Sequence, residues 1–176
     1  MDDYEFCELT SKEDILSHEL LLYDAFVNRA THGWIYHHYI KDGNRMLPPF
    51  PYEQQLIFGI RHKANLLASL AVNLDTKKKL QLEYIGFSRK NIDETKKFAE
   101  ILTLCTTGKH APPDTMNLVR QFNHYLIKKY RGNGLIYIYG TTFIKKKLIY
   151  RRLGFTIEDS IENKYGKNLL LRQKIE

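Results

Sequence analysis

Cysteine is scarce in this chain. Cys7 and Cys105 are the only two among 176 residues, too few for a disulfide framework, and they have no metal-type spacing. Both are expected to be buried, inert thiols in a reducing compartment, with the cytoplasm as the default. Long apolar runs are missing too, and none approaches the ~20 residues that a membrane-spanning helix needs. The start, Met1-Asp-Asp-Tyr-Glu-Phe6, is acidic and lacks a basic flank and an apolar core, so no secretory signal is expected. No repeat, Pro/Gly/Ser-rich linker or long low-complexity tract divides the chain. A single domain over residues 1–176 follows, large enough to bury about 70% of its unfolded surface. His37 and His38 are adjacent and would point to different sides of a helix, and no HxxxH, HxH or carboxylate-paired spacing occurs elsewhere. No metal is expected.

What the chain does have is charge, unevenly spread. Residues 1–88 carry 9 Lys/Arg against 12 Asp/Glu, whereas residues 89–176 carry 18 against 8, within a net charge of +7. A C-terminal half at +10 suits an anionic partner: nucleic acid, a phosphorylated cofactor or an acidic carrier protein.

Hydrophobic spacing places the elements. A short strand at Tyr4–Leu9 leads into the capping-box pattern Thr10-Ser-Lys-Glu13, and a helix follows with Ile15, Leu16, Leu22, Tyr23, Phe26 and Val27 on its apolar positions. Trp34–Ile40 reads as a second short helix before the proline-rich Leu47-Pro-Pro-Phe-Pro51. Gln55–Ile60 and Leu66–Leu74 read as paired strands turned at His62–Asn65, and Leu80–Phe87 as a fourth strand. Phe98, Ile101, Leu102 and Cys105 form one apolar stripe, which predicts a helix over 91–107. A further helix over 114–130 carries Met116, Val119, Phe122, Leu126 and Tyr130, with Gly132 placed to stop it in a left-handed turn. Gly134-Leu-Ile-Tyr-Ile-Tyr-Gly140 reads as a strand. It is followed by about ten helical residues, then Tyr150-Arg-Arg-Leu-Gly-Phe155 and closing strands around Phe155–Glu158 and Asn168–Lys174.

That element order, with Tyr150-x-x-Leu-Gly-Phe155 near its end, resembles the GNAT N-acetyltransferase superfamily over roughly residues 4–173. The resemblance implies a mixed α/β fold, a mainly antiparallel sheet flanked by helices, here with an inserted helix after the fourth strand. It also implies an N-acyltransferase that passes an acyl group from a CoA thioester to a small-molecule amine or amino acid by direct attack. Such chemistry needs a held donor, a polarised carbonyl, a base for the ammonium and a partner for the departing thiolate.

The resemblance assigns Tyr150 to the leaving thiolate and Glu83, in Gln81-Leu-Glu-Tyr-Ile-Gly-Phe87, to the base. The family's donor loop, Arg/Gln-x-x-Gly-x-Gly/Ala, has no counterpart here, because Gly86-Phe-Ser-Arg-Lys-Asn91 lacks the glycine pair. Arg89, Gly108 and Lys109 are the remaining donor-binding candidates, the last two lying just before a helix N-terminus that would favour phosphate. Glu83-Tyr-Ile-Gly-Phe-Ser88-Arg89 is similar, with stretched spacing, to the Glu-x-Ser-Arg-Phe of acyl-homoserine-lactone and long-chain N-acyl amino acid synthases. That second resemblance keeps acyl carrier protein or a long-chain donor open, and the basic C-terminal half would suit an acidic carrier.

Two alternatives stand beside the enzyme. One is a GNAT-like domain that binds without catalysis, which the missing glycine loop permits. The other is a nucleic-acid module using Lys128-Lys-Tyr-Arg131, Lys145-Lys-Lys147 and Arg151-Arg152, with Tyr130, Tyr137 and Tyr139 as stacking surfaces. No known nucleic-acid motif is present, so nucleic acid is not the expected partner.

Overall fold

The computed structural model describes residues 4–29, 33–108 and 115–175. They group into two compact units that interleave along the chain, Met1–Val72 with Thr103–Phe122, and Asn73–Leu102 with Asn123–Glu176. In chain order the elements are β1 (Tyr4–Glu8), α1 (Lys12–Tyr23), α2 (Trp34–His38), β2 (Ile40–Asp42), β3 (Arg45–Leu47), β4 (Gln55–His62) and β5 (Asn65–Asn73). Then come α3 (Gln81–Ile85), β6 (Phe98–Thr106), α4 (Thr115–Arg131), β7 (Tyr137–Phe143), α5 (Lys147–Arg152), β8 (Thr156–Asn163) and β9 (Gly166–Lys174).

In the first unit the hydrogen-bonded order is β1-β4-β5-β6. β1 lies antiparallel to β4, with Tyr4 opposite His62 and Glu8 opposite Phe58. β4 turns into β5 through Lys63-Ala64, Lys63 taking a left-handed φ of 56°. So short a turn joins only antiparallel strands. The Thr107 amide donates to the Leu67 carbonyl at 2.8 Å, which sets the end of β6 beside the start of β5. The capping box of α1 is one residue later than the sequence suggests. Ser11 Oγ accepts from the Asp14 amide and the Asp14 carboxylate accepts from the Ser11 amide, both at 3.1 Å. Asp14 wins because it also meets Arg61 at 2.6 Å. After α1 the helix widens into a π-type turn over Asp24–Asn28. The β2–β3 hairpin, absent from the sequence reading, is tied down by the buried Glu19 carboxylate, which accepts from Arg45 Nε at 2.7 Å and from the Tyr52 hydroxyl at 2.6 Å.

In the second unit the order is β6-β7-β9-β8. β6 and β7 are parallel, Phe98 opposite Tyr137, while β7–β9 and β8–β9 are antiparallel. Tyr139, Leu170 and Leu171 fill its core, with Tyr139 edge-on to Phe98 at 5.5 Å. The architecture is a mixed α/β fold with a mainly antiparallel sheet flanked by helices, as expected.

Two elements exchange their predicted types. Residues 98–106 form strand β6 rather than part of a helix, and 81–85 form helix α3 rather than a strand. The extra helix therefore precedes the fourth strand of the sheet instead of following it. Phe98 to Leu102 are all buried; a strand covered on both faces shows no alternation, and its apolar run mimics a helical stripe. α3 is set by its ends. The Glu83 carboxylate accepts from the Leu80 amide at 2.8 Å, and Gly86 closes the helix with a φ of 117°. Left-handed backbone after α4 likewise falls on Gly134 (φ 71°), not on Gly132.

Candidate functional site

The exchange of elements moves the candidate base. Glu83 is not on a sheet strand. It sits in the first turn of α3, where its carboxylate caps the helix and pairs with Arg89 Nη1 at 3.2 Å. Arg89 is correspondingly occupied. It donates to the carbonyls of Thr76 and Lys78 and pairs with Glu94 as well as Glu83. Two residues assigned separately to base and donor binding thus meet in one ion-pair hub that fixes the segment around α3.

The carboxylate on the fourth strand of the sheet is Glu100, in β6, which sequence reasoning missed. It is 1% exposed, and its two oxygens accept from the amides of Gln81 (3.0 Å) and Leu82 (2.7 Å) at the start of α3. Burial pushes its carboxyl up to about 7, against the pull of those amides and of the Asn73 side chain, and the charge of Glu83 adds to the rise. A carboxyl held near neutrality exchanges a proton at physiological pH. The signal in the sequence was a lone acidic residue inside an apolar run, Phe98-Ala-Glu-Ile-Leu102.

Tyr150 lies on α5 as expected, half-buried and edge-on to Phe155 at 5.7 Å. The turn that ends α5 is Gly154, with a φ of 88°. A buried amide pair fixes this turn. Asn123 Nδ2 donates to the Leu153 carbonyl (3.2 Å) and to Gln173 Oε1 (3.3 Å), and Gln173 Nε2 donates to the same carbonyl (2.9 Å).

Gly108 lies in the first unit, against the side chain of Arg29, while Lys109 lies outside the described residues. An open cleft of about 700 Å³ runs here, with Ser17, Asp24, Asn28 and Arg29 on one side and Leu66, Thr107 and Gly108 on the other. The first unit also buries a polar chain that the sequence did not suggest. His18 Nδ1 meets Ser69 Oγ at 2.8 Å, and Ser69 Oγ meets Cys105 Sγ at 3.2 Å. Burial pushes His18 down to about 4, so its ring is neutral at pH 7. His38 stacks on Trp34 at 4.7 Å and His37 is edge-on to Tyr36, so these aromatics and histidines pack on one another. Among the described residues, no three His, Cys, Asp or Glu side chains converge in a metal-binding group.

The basic C-terminal half is visible on the surface of the second unit. Lys128, Lys129 and Arg131 end α4, and Lys145, Arg151 and Arg152 are exposed around α5. Tyr139, offered as a stacking surface for nucleic acid, is fully buried.

No protein-family model matches the sequence, and no curated protein matches it by sequence. The structure is similar over its whole length to solved structures. The AHL synthase LasI superposes with a TM-score of 0.78 at 10% identity, covering 100% of this chain and 92% of that one. FeeM, an N-acyl amino acid synthase from uncultured soil microbes, gives 0.73 at 12% identity, covering 99% and 92%. The ribosomal-protein-S18-alanine N-acetyltransferase from Escherichia coli gives 0.60 at 10% identity, covering 98% and 94%. The chain has the fold shared by GNAT N-acetyltransferases, AHL synthases and N-acyl amino acid synthases.

Proposed function

We propose that the protein is an N-acyltransferase of the acyl-synthase kind, which moves an acyl group from a thioester to the amine of an amino acid or a related small molecule. The observation that carries this reading is the whole-chain likeness, which is greater to the two acyl synthases (0.78 and 0.73) than to the acetyltransferases compared (0.54 to 0.66). The lack of the glycine-paired donor loop agrees with a donor other than plain acetyl-CoA. Acyl carrier protein and long-chain acyl-CoA are the donors to be tested, and the exposed cations of the second unit suit an acidic carrier.

In this reading Glu100, not Glu83, takes the proton. The ammonium of the acceptor gives up a proton to the Glu100 carboxylate, directly or through one water, and the free amine attacks the thioester carbonyl. The tetrahedral adduct then expels the thiolate, which takes a proton from the Tyr150 hydroxyl while the adduct nitrogen gives up its extra proton and returns one to the phenolate. Holding a base at about 7 balances the fraction ionised at physiological pH against its basicity.

The test is a thiol-release assay with product mass analysis. Acyl-CoAs of two to sixteen carbons and the matching acyl carrier proteins are each offered amino acids as acceptors. Turnover by wild type, with Glu100→Gln lowered ~100-fold or more and Glu83→Gln close to wild type, is the expected pattern. Turnover that survives in Glu100→Gln removes Glu100 from the mechanism. No amide product from any donor class rejects the enzyme reading.

A further inference from the structure

The second unit turns an aliphatic and basic helix face outward. From Asn123 to Ile157 the chain has eight Lys/Arg and no Asp or Glu. Five of the eight fall in Ile144–Arg152, which comprises the 3₁₀ turn Ile144–Lys146 and α5. Lys145, Leu148, Ile149 and Arg152 recur at the three- and four-residue spacing of one helix face, and all four are exposed. On the other side Leu153 is buried and Tyr150 turns in against Phe155. Leu148 is 67% exposed, more than any other large apolar side chain described, and Ile144 and Ile149 are 44% and 39% exposed. A scattered exposed aliphatic is ordinary. Three of the eight exposed large apolar side chains described, all within six residues, are a cluster. Lys145, Arg151 and Arg152 have no carboxylate partner among the described residues.

We propose that this face attaches the protein to an anionic lipid surface. Leu148 and Ile149 enter the boundary between headgroups and acyl chains, and Lys145, Arg151 and Arg152 lie against the headgroup anions. The inference goes beyond the acyltransferase reading and stands without it. Charge alone would serve nucleic acid or an acidic protein equally well; the aliphatic side chains decide. Nucleic acid stacks its bases on aromatic rings, and the one ring of α5, Tyr150, is turned inward. A stable protein interface covers about 800 Å² on each partner, whereas α5 has six residues and is about 9 Å long at 1.5 Å per residue. Lipid asks for less. Single aliphatic side chains enter it one by one, each adding affinity, and the long stems of Lys and Arg accompany them while their charges stay among the phosphates.

The test is co-sedimentation of the whole protein with vesicles of phosphatidylcholine, or of an equal mixture with phosphatidylglycerol, at low and high salt. A parallel titration uses holo acyl carrier protein. Wild type should bind the anionic vesicles, bind the neutral ones far less, and let go as salt rises. Leu148→Ser keeps every charge and is expected to lower partitioning about 10-fold, the loss of one aliphatic side chain from lipid. Replacing Arg151 and Arg152 together by glutamine should lower it about 25-fold, roughly fivefold per cation. All three side chains are exposed, so thermal midpoints equal to wild type should separate lost binding from lost folding. If the arginine variant melts early, Leu148→Ser decides by itself. Failure of wild type to bind anionic vesicles overturns the proposal. So does partitioning that Leu148→Ser leaves unchanged, the mark of unspecific attraction to a basic protein. Carrier binding that Leu148→Ser weakens, with no vesicle binding, assigns the face to a carrier protein and overturns it too. Thiol release from a soluble short-chain donor tests the acyltransferase reading separately from all of these.

Discussion

Replacing Glu100 by glutamine should change how stability depends on pH, by an amount that follows from the structure. The folded carboxyl titrates at about 7, against 4.5 for an unperturbed glutamate. Between those values the folded protein holds a proton that the unfolded chain has released, so this group's contribution is fully present below pH 4.5 and lost as pH rises through 7. A gap of roughly 2.5 pH units, at about 1.36 kcal/mol each, makes that contribution about 3 kcal/mol. Glutamine keeps one acceptor oxygen for the α3 amides and cannot titrate, so its own penalty is the same at every pH. Urea unfolding of wild type and Glu100→Gln at pH 8, 7, 6, 5 and 4.5, at constant ionic strength, isolates the effect as a difference. Wild type should gain about 3 kcal/mol on the variant between pH 8 and 4.5, most of it below pH 7. Parallel curves would show that Glu100 has an ordinary carboxyl, and the base assigned above would lose its physical support.

His18 supplies the mirror image. Its ring is pushed down to about 4 from 6.5, so the unfolded chain takes up a proton first, and this contribution, present above pH 6.5, is lost as pH falls through 4. Relative to His18→Gln, wild type should therefore lose about 3 kcal/mol on acidification from pH 7.5 to 4; a difference that does not move with pH would place the ring in contact with water. Gly154→Ala should destabilise by about 1–3 kcal/mol, because an L side chain at φ 88° is strained and its Cβ would stand 3.1 Å from Gln173 Nε2. A thermal midpoint equal to wild type would refute the strain. Tyr150→Phe should lower turnover ~10- to 1000-fold with donor binding nearly intact, as for loss of one transition-state hydrogen bond, and an unchanged rate removes Tyr150 from the reaction.

Local chemistry was enough for the parts of the chain that carry their own signals. The β4–β5 hairpin, amphipathic α4, and the run from β7 through α5 to the Gly154 turn could be read from apolar spacing and a glycine stop, because each is specified by residues a few positions apart. Tyr150-x-x-Leu-Gly-Phe155 lies there, and with the element order it pointed to the fold. The central exchange at 81–106 could not be read that way. Phe98–Leu102 is buried on both faces, which erases the alternation that marks a strand, and α3 takes its N-terminal acceptors from Glu100, eighteen and nineteen residues further along the chain. The residues proposed for the site split in the same manner. Tyr150 belongs to a local motif, whereas Glu100 has meaning only through partners distant in sequence, the amides of α3, and Arg29 meets Thr106 and Gly108 only in the fold. Burial and long-range hydrogen bonding shift a carboxyl to neutrality and hold a guanidinium over a glycine, and both are properties of the assembled fold that no short window of sequence contains.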